Sequence, residues 1–113
     1  MAMQCTNKIV MVRPINFGLN TQTSGDNVFK DTTVKIDSGE VSNTALTEFD
    51  NFVEKLRTNG VTVEIIDGHK DCPDAVFPNN WISTHNTTNS DSSDSSCSSI
   101  MTYPMYAANR RTE

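Results

Sequence analysis

The sequence predicts an open, incomplete α/β unit. Three observations carry that expectation. Short β-branched apolar runs recur along the chain, a single strongly amphipathic helix lies between the first two, and no second helix follows to cover the other face of the sheet they would form.

The first run is Lys-Ile-Val-Met-Val-Arg at residues 8–13, a largely buried strand stopped by Pro14. Residues 15–40 are polar and rich in Asn, Thr, Asp and Gly. So long a connection is either a lid over a site or a plain surface loop. A helix is expected over residues 43–59. Leu46, Phe49, Val53 and Leu56 fall on one face, Phe52 widens that stripe, and Ser42 or Asn43 can cap the start. Asn59-Gly60 ends it, because glycine takes the left-handed conformation without a Cβ clash.

Val61, Val63 and Ile65 then alternate with polar residues as a second strand with one buried face, and Asp67-Gly68 forms a turn. Residues 75–77, Ala-Val-Phe between Pro73 and Pro78, read as a third strand that Trp81 to His85 continue. Residues 86–99 are a low-complexity run of Ser, Asp, Asn and Thr, expected to be a disordered insertion. Strand character returns over 100–105, and 107–113 resemble the first turn of another helix. The whole of 1–113 thus reads as part of one domain. Its open sheet face belongs either to a unit of something larger or to a small domain that hides it by forming a homo-oligomer.

Composition removes several function classes. The formal charge is −5, hydrophobic residues make up 35%, and mean hydropathy is −0.46. An acidic balance argues against nucleic acid or an anionic membrane as partner, since phosphate binding needs a field of Lys and Arg. No stretch approaches the roughly 18 apolar residues of a membrane span, and the first residues lack the apolar core of a signal peptide. Cys5, Cys72 and Cys97 are an odd set, which suits a reducing, cytoplasmic setting better than a disulfide framework. His69-x-x-Cys72 has zinc-ligand spacing, but His85 and Cys97 do not form a second close pair, so neither metal nor cofactor is expected.

Three segments, taken in order, are more specific. The first is Met-Val-Arg-Pro-Ile-Asn-Phe-Gly-Leu-Asn-Thr at 11–21, with Asn-Val-Phe at 27–29 behind it. The second is Pro-Asp-Ala-Val-Phe-Pro-Asn-Asn-Trp-Ile-Ser-Thr-His at 73–85. The third is Tyr-Pro-Met-Tyr-Ala-Ala-Asn-Arg-Arg-Thr-Glu at 103–113. With the helix segment, they resemble the opening of the amidinotransferase-like proteins of the arginine deiminase superfamily, the penteins. The likeness leans toward the branch that contains citrulline-hydrolase-like members and covers nearly all of the chain except the Ser-rich run. It implies a pseudo-fivefold α/β propeller of ββαβ units, of which these residues would supply the first and the lead-in to the second.

The resemblance also implies a chemistry. A cysteine thiolate attacks a guanidino or ureido carbon, a histidine moves protons, and acidic groups orient the substrate. In that family the cysteine lies near the far C-terminus and the histidine lies mid-chain. Neither position falls within these residues, so no catalytic residue is expected here, and the chain alone is expected to be inactive.

Binding is what the segment can contribute, with a small guanidino or ureido molecule as its partner. Phe77-Pro78-Asn79-Asn80 aligns with Phe-Thr-Arg-Asp of the arginine deiminases, where the carboxylate grips the guanidinium. Asn80 replaces that carboxylate with a neutral amide, which both donates and accepts and so suits a ureido group such as that of citrulline. Asn79 is its neighbour, directed to the other face if the segment is a strand. Asp74 is the nearest carboxylate, either a binding group or an ordinary turn residue. Phe77 either stacks on the planar substrate group or packs in the core, and Trp81 is expected to pack. Arg110 and Glu113 stand as the deiminases' Arg-x-x-Glu, whose arginine holds the substrate α-carboxylate; alternatively Arg110 and Arg111 begin a solvated helix. Arg13 and Asn20, at the strand end and the lid, are further candidates.

Overall fold

The computed structural model describes residues 6–23, 38–88 and 96–113. Cys5, residues 27–29 of the first family-like segment and the centre of the Ser-rich run lie outside the described residues.

Strand β1 (Lys8–Arg13) pairs in parallel with β2 (Thr62–Asp67), with Lys8 opposite Thr62 and Arg13 opposite Asp67. Parallel neighbours need a long crossover, and helix α1 (Ser38–Thr58) lies in it. The register sets Ile9 beside Val63 and Met11 beside Ile65 on one face, and Val12 beside Ile66 on the other. The helix packs against β2. Val53 and Val63 are 3% and 5% exposed, and Cys72, Ala75 and Ala107 complete the buried apolar set among the described residues. On the far face Val10 and Ile66 stay more than half exposed.

The helix departs from expectation in two ways. It begins at Ser38, so Ser42 and Asn43 lie inside it and cap nothing; the Ser42 hydroxyl instead reaches the Ile15 carbonyl at 3.4 Å. Phe52 is 53% exposed and does not widen the buried stripe. A pair of strands about 5 Å apart is narrower than a helix about 10 Å across, so the edge of the stripe overhangs the sheet. The C-terminus follows the prediction. Gly60 has φ +84°, its N–H reaches the Arg57 carbonyl at 3.0 Å, and the Val61 N–H reaches that of Leu56 at 3.0 Å. This is the crossed pair of bonds that closes a Schellman motif.

Residues 75–77 are not a strand. Reverse turns follow one another from residue 69: Cys72 N–H to His69 O, Ala75 N–H to Cys72 O, and Phe77 N–H to Asp74 O, at 3.0–3.1 Å. A 3₁₀ turn, Pro78–Asn80, follows. The flanking prolines explain the difference. Pro73 and Pro78 have no N–H for a ladder, and their fixed φ suits turns, with Pro78 starting the 3₁₀ turn.

The second half forms its own hairpin, so among the described residues the strands build two separate two-stranded sheets. Strands β3 (Ile82–Thr88) and β4 (Ser96–Thr102) pair antiparallel, Ile82 opposite Thr102 and Thr88 opposite Ser96. They run into both ends of the segment expected to be disordered over 86–99, and residues 89–95 of that segment lie outside the described residues. Strand β4 also stops short of residue 105, because Pro104 cannot extend the ladder beyond the Tyr103 N–H, which bonds the Trp81 carbonyl at 2.7 Å. The expected last helix is a single 3₁₀ turn, Ala108–Arg110.

Candidate functional site

The turns between Cys72 and Asn80 bring one side chain after another toward the final 3₁₀ turn. Arg110 stands at the centre, 7% exposed. Its Nε donates to Glu113 Oε1 and its Nη2 to Glu113 Oε2, both at 2.8 Å, while Nη1 donates to Asn80 Oδ1 at 2.9 Å. Nη2 also lies 3.3 Å from the carbonyls of Asp74 and Phe77. One guanidinium therefore ties together four other residues singled out from sequence: Asp74, Phe77, Asn80 and Glu113. Each nitrogen of Arg110 makes at least one bond within the protein, and the side chain also lines the adjoining cleft.

Beside it lies a buried amide network. Asn20 is 1% exposed and Asp74 is 7% exposed. Asn20 Nδ2 donates to Asp74 Oδ2 at 2.8 Å and lies 3.3 Å from Asn109 Oδ1, and Asn109 Nδ2 returns a bond to Asn20 Oδ1 at 2.9 Å. The Thr23 hydroxyl donates to Asp74 Oδ2 at 3.1 Å. The Gln22 N–H closes on Asn20 Oδ1 at 3.0 Å, and the Gln22 side-chain carbonyl accepts from the Asn109 N–H at 3.1 Å. Residues 15–23 thus fold against the body, and Asn20 is a buried hub rather than part of a lid. Whether residues 24–37 form a lid lies outside the described residues.

Sequence reasoning missed Gln22, Thr23 and Asn109. The signal was faint: an Asn two residues before Gln22 favours a turn closed by its own side chain, but nothing local points 89 residues ahead to Asn109.

The other candidates are placed differently. Asn79 is exposed and outside both networks, and since the segment is a 3₁₀ turn, the argument from strand alternation does not apply to it. Phe77 is 44% exposed, so it is not core. Arg13 lies elsewhere, forked onto Asp50 of α1 through bonds of 3.0 and 2.7 Å. That hydrogen bonding holds the Asp50 carboxyl below its ordinary range and raises the Arg13 guanidinium above its own. The Cys72 sulfur is buried against the Thr112 hydroxyl at 3.5 Å. His69 pairs with Asp71 at 3.6 Å, and among the described residues no group of three or more His, Cys, Asp and Glu converges as a metal site would require.

Two hollows flank this region. A cleft of about 470 Å³ is lined by Trp81, Tyr103, Met105, Arg110 and Glu113, among others. A more apolar hollow of about 310 Å³ lies between the open face of the β1–β2 sheet and the start of β3, with Val10, Ile66, Pro78 and Trp81 in its wall. Trp81 lines both, and its buried Nε1 has no hydrogen-bond partner. Asp74, Phe77 and Asn80 line neither hollow; Asn80 bonds Arg110, which lines the first.

Residues 13–113 match the family model described as "N,N dimethylarginine dimethylhydrolase, eukaryotic". No curated protein matches the chain, and no solved structure does.

Proposed function

The chain belongs to the eukaryotic N,N-dimethylarginine dimethylhydrolase family, in the pentein superfamily, and from that premise we propose that it supplies the substrate-gripping part of a C–N hydrolase. The family's kind of chemistry is hydrolysis at a guanidino group. The reading proposed for this chain is narrower: Asp74, Phe77 and Asn80 form the wall that receives a planar guanidino or ureido group, with citrulline, cleaved toward ornithine, as the preferred candidate. One observation carries it. The turns at 72–80 and the final 3₁₀ turn draw these residues around a single buried guanidinium, next to a cleft large enough for an amino-acid side chain.

Cys72, the cysteine whose side chain is described, does not suit the nucleophile's role. Cys72 is buried against Thr112, and a nucleophile must reach its substrate as a thiolate. The proposal therefore assigns the chain binding and leaves the covalent step to a cysteine and histidine elsewhere in the protein. The test is an amide-resonance titration of the isotope-labelled chain with arginine and citrulline, run beside a turnover assay. Shifts confined to residues 74–80 and 110, with no turnover, support the reading. Titration without any shift there removes it, and turnover by the pure chain would place the nucleophile within these residues.

A second reading has its own observation. Val10, Ile66, Ile100 and Met101 are all at least half exposed. Such apolar surface suits a binding module that self-associates, and sedimentation equilibrium separates a monomer from that species.

A further inference from the structure

We infer that Ser83 is a nucleophile activated by His85, and that the face of the β3–β4 hairpin around it accepts the acyl group of small carboxylic esters. The inference assigns no role to Asp74, Phe77, Asn80 or Arg110 and stands or falls apart from the binding reading above.

Three side chains form a row. Ser83 Oγ lies 2.7 Å from His85 Nε2 and 2.9 Å from the Tyr103 hydroxyl. The strands dictate this meeting. Ser83 and His85 are two residues apart on β3, so their side chains leave the same face of the hairpin. Met101 stands directly opposite Ser83 on β4 and shares that face, and Tyr103, just beyond the end of β4, comes within diagonal reach.

A serine hydroxyl has a single proton, so between two partners it donates to one and accepts from the other. A phenol gives up a proton more readily than an alkyl hydroxyl, and an unprotonated imidazole nitrogen is the best acceptor of the three. With a neutral imidazole the favoured order is therefore Tyr103 to Ser83 to His85, which leaves the ring proton on Nδ1. That order suits a nucleophile. The base is within reach of the proton to be removed, and one lone pair of Oγ stays free to attack.

The surroundings suit an acyl group. Ser83 is half-buried and His85 is exposed, so a small ester can reach the hydroxyl and solvent can reach the imidazole. Met101 and Tyr103 are 51% and 43% exposed, an apolar surface beside Oγ that a short acyl chain would cover. Ser83 does not line the cleft of about 470 Å³. Tyr103 and Trp81 both do, joined by the bond of 2.7 Å from the Tyr103 N–H to the Trp81 carbonyl, so the cleft begins one hydrogen bond away from Ser83.

The step balances with the ester alone. Ser83 Oγ attacks the ester carbonyl and forms the new C–O bond while its proton passes to His85 Nε2. The Tyr103 hydroxyl, a donor already beside Oγ, can turn to the carbonyl oxygen as that atom gains charge. The old C–O bond breaks, the leaving alcohol takes up the proton from His85, and the acyl group stays on Ser83.

Addition of para-nitrophenyl acetate to the purified chain, with acetyl groups located by peptide mass mapping, tests this. Ser42 is the internal control: it is half-buried like Ser83, but its hydroxyl meets the Ile15 carbonyl rather than an imidazole. Ser83 is expected to acetylate at least about a hundredfold faster than Ser42, the scale of positioned general-base catalysis. His85→Gln is expected to remove that advantage, and Tyr103→Phe to reduce it in part. Amide spectra of the variants check that the hairpin is intact; should a variant unfold, the wild-type ratio of Ser83 to Ser42 decides. Absence of acetyl groups on Ser83, a rate no greater than that of Ser42, or a Ser83 rate untouched in folded His85→Gln overturns the inference.

Discussion

Arg110 and Glu113 face each other through two parallel hydrogen bonds of 2.8 Å, with side chains 8% and 2% exposed. Three residues apart in sequence, they form the most enclosed ion pair among the described residues, and the turn that carries Asn80 hangs on it. A buried pair of this kind is a poor source of net stability, because desolvating two charges offsets their attraction. What it supplies is a fixed direction.

Removing one partner alone should be severe. Glu113→Gln leaves a buried guanidinium without its counter-charge, and a loss of about 3–5 kcal/mol is expected. Replacing both partners with apolar residues of similar volume should restore much of it. Urea midpoints of the single and double variants check this; a single variant as stable as wild type would mean that the pair is solvated in solution.

The amide hub predicts an ordering. Asn20→Ala strips partners from Asp74 and Asn109 inside the protein, at an expected loss of about 1–3 kcal/mol. Asn20→Asp should be worse at neutral pH, because it sets a second carboxylate where Nδ2 now lies 2.8 Å from Asp74. Acidification should then recover part of that extra loss. Denaturation of both variants at neutral and acid pH measures it, and equal stability at both pH values would exclude close contact between the two carboxylates.

The exposed pair Arg13–Asp50 carries a pH dependence of definite sign. The folded-state pKa of Asp50 is lowered from 3.8, so its contribution is present above that value and is lost as pH falls through the folded one. Arg13 is raised further above its already high ordinary value, so its share disappears only at extreme alkalinity. Acid titration of stability should therefore show a component below pH 3.8 that Asp50→Asn or Arg13→Met abolishes. Because the pair is solvent-exposed, added salt should weaken it. An unchanged acid limb in both variants would show that the fork does not persist in solution.

How much of this was legible in the sequence depends on the range of the interaction. The body of α1, its glycine stop and the β1 and β2 strands were readable, because periodicity and a left-handed glycine are local signals. The helix start was not, since Ser38, Gly39 and Glu40 precede the apolar stripe. The 75–77 run was misread as a strand because three apolar residues fit either element, and the prolines on both sides decide for turns. Asp74, Phe77, Asn80 and Arg110 are all legible in the sequence as candidates, and the structure does bring them together. Their division of labour was hidden. Nothing in an Arg-x-x-Glu string tells whether the arginine faces a ligand or its own glutamate, and nothing near Asn20 announces Asn109.

Gly68 links the strand end to the site and gives a final prediction. A Cβ built there would lie 2.8 Å from the Arg13 carbonyl oxygen, 3.3 Å from Ala75 Cβ and 3.5 Å from Val12 Cγ1. The first contact is with backbone, and that oxygen is already held by the N–H groups of Ile15 and Gly68 at 3.0 Å, so it cannot simply swing aside. Gly68→Ala should lose about 1–3 kcal/mol, as overpacked sites do. The displacement should also pass through Ala75 into the turns that carry Phe77 and Asn80, so amide resonances of 72–80 are expected to move with those of 12–15. Gly18→Ala is the control: no atom lies within 4 Å of its added Cβ, so it should be neutral or stabilise by up to about 1 kcal/mol. If Gly68→Ala were as benign as Gly18→Ala, the close approach of the β2 exit to Arg13 would be wrong, and with it the placement of the 72–80 turns against β1.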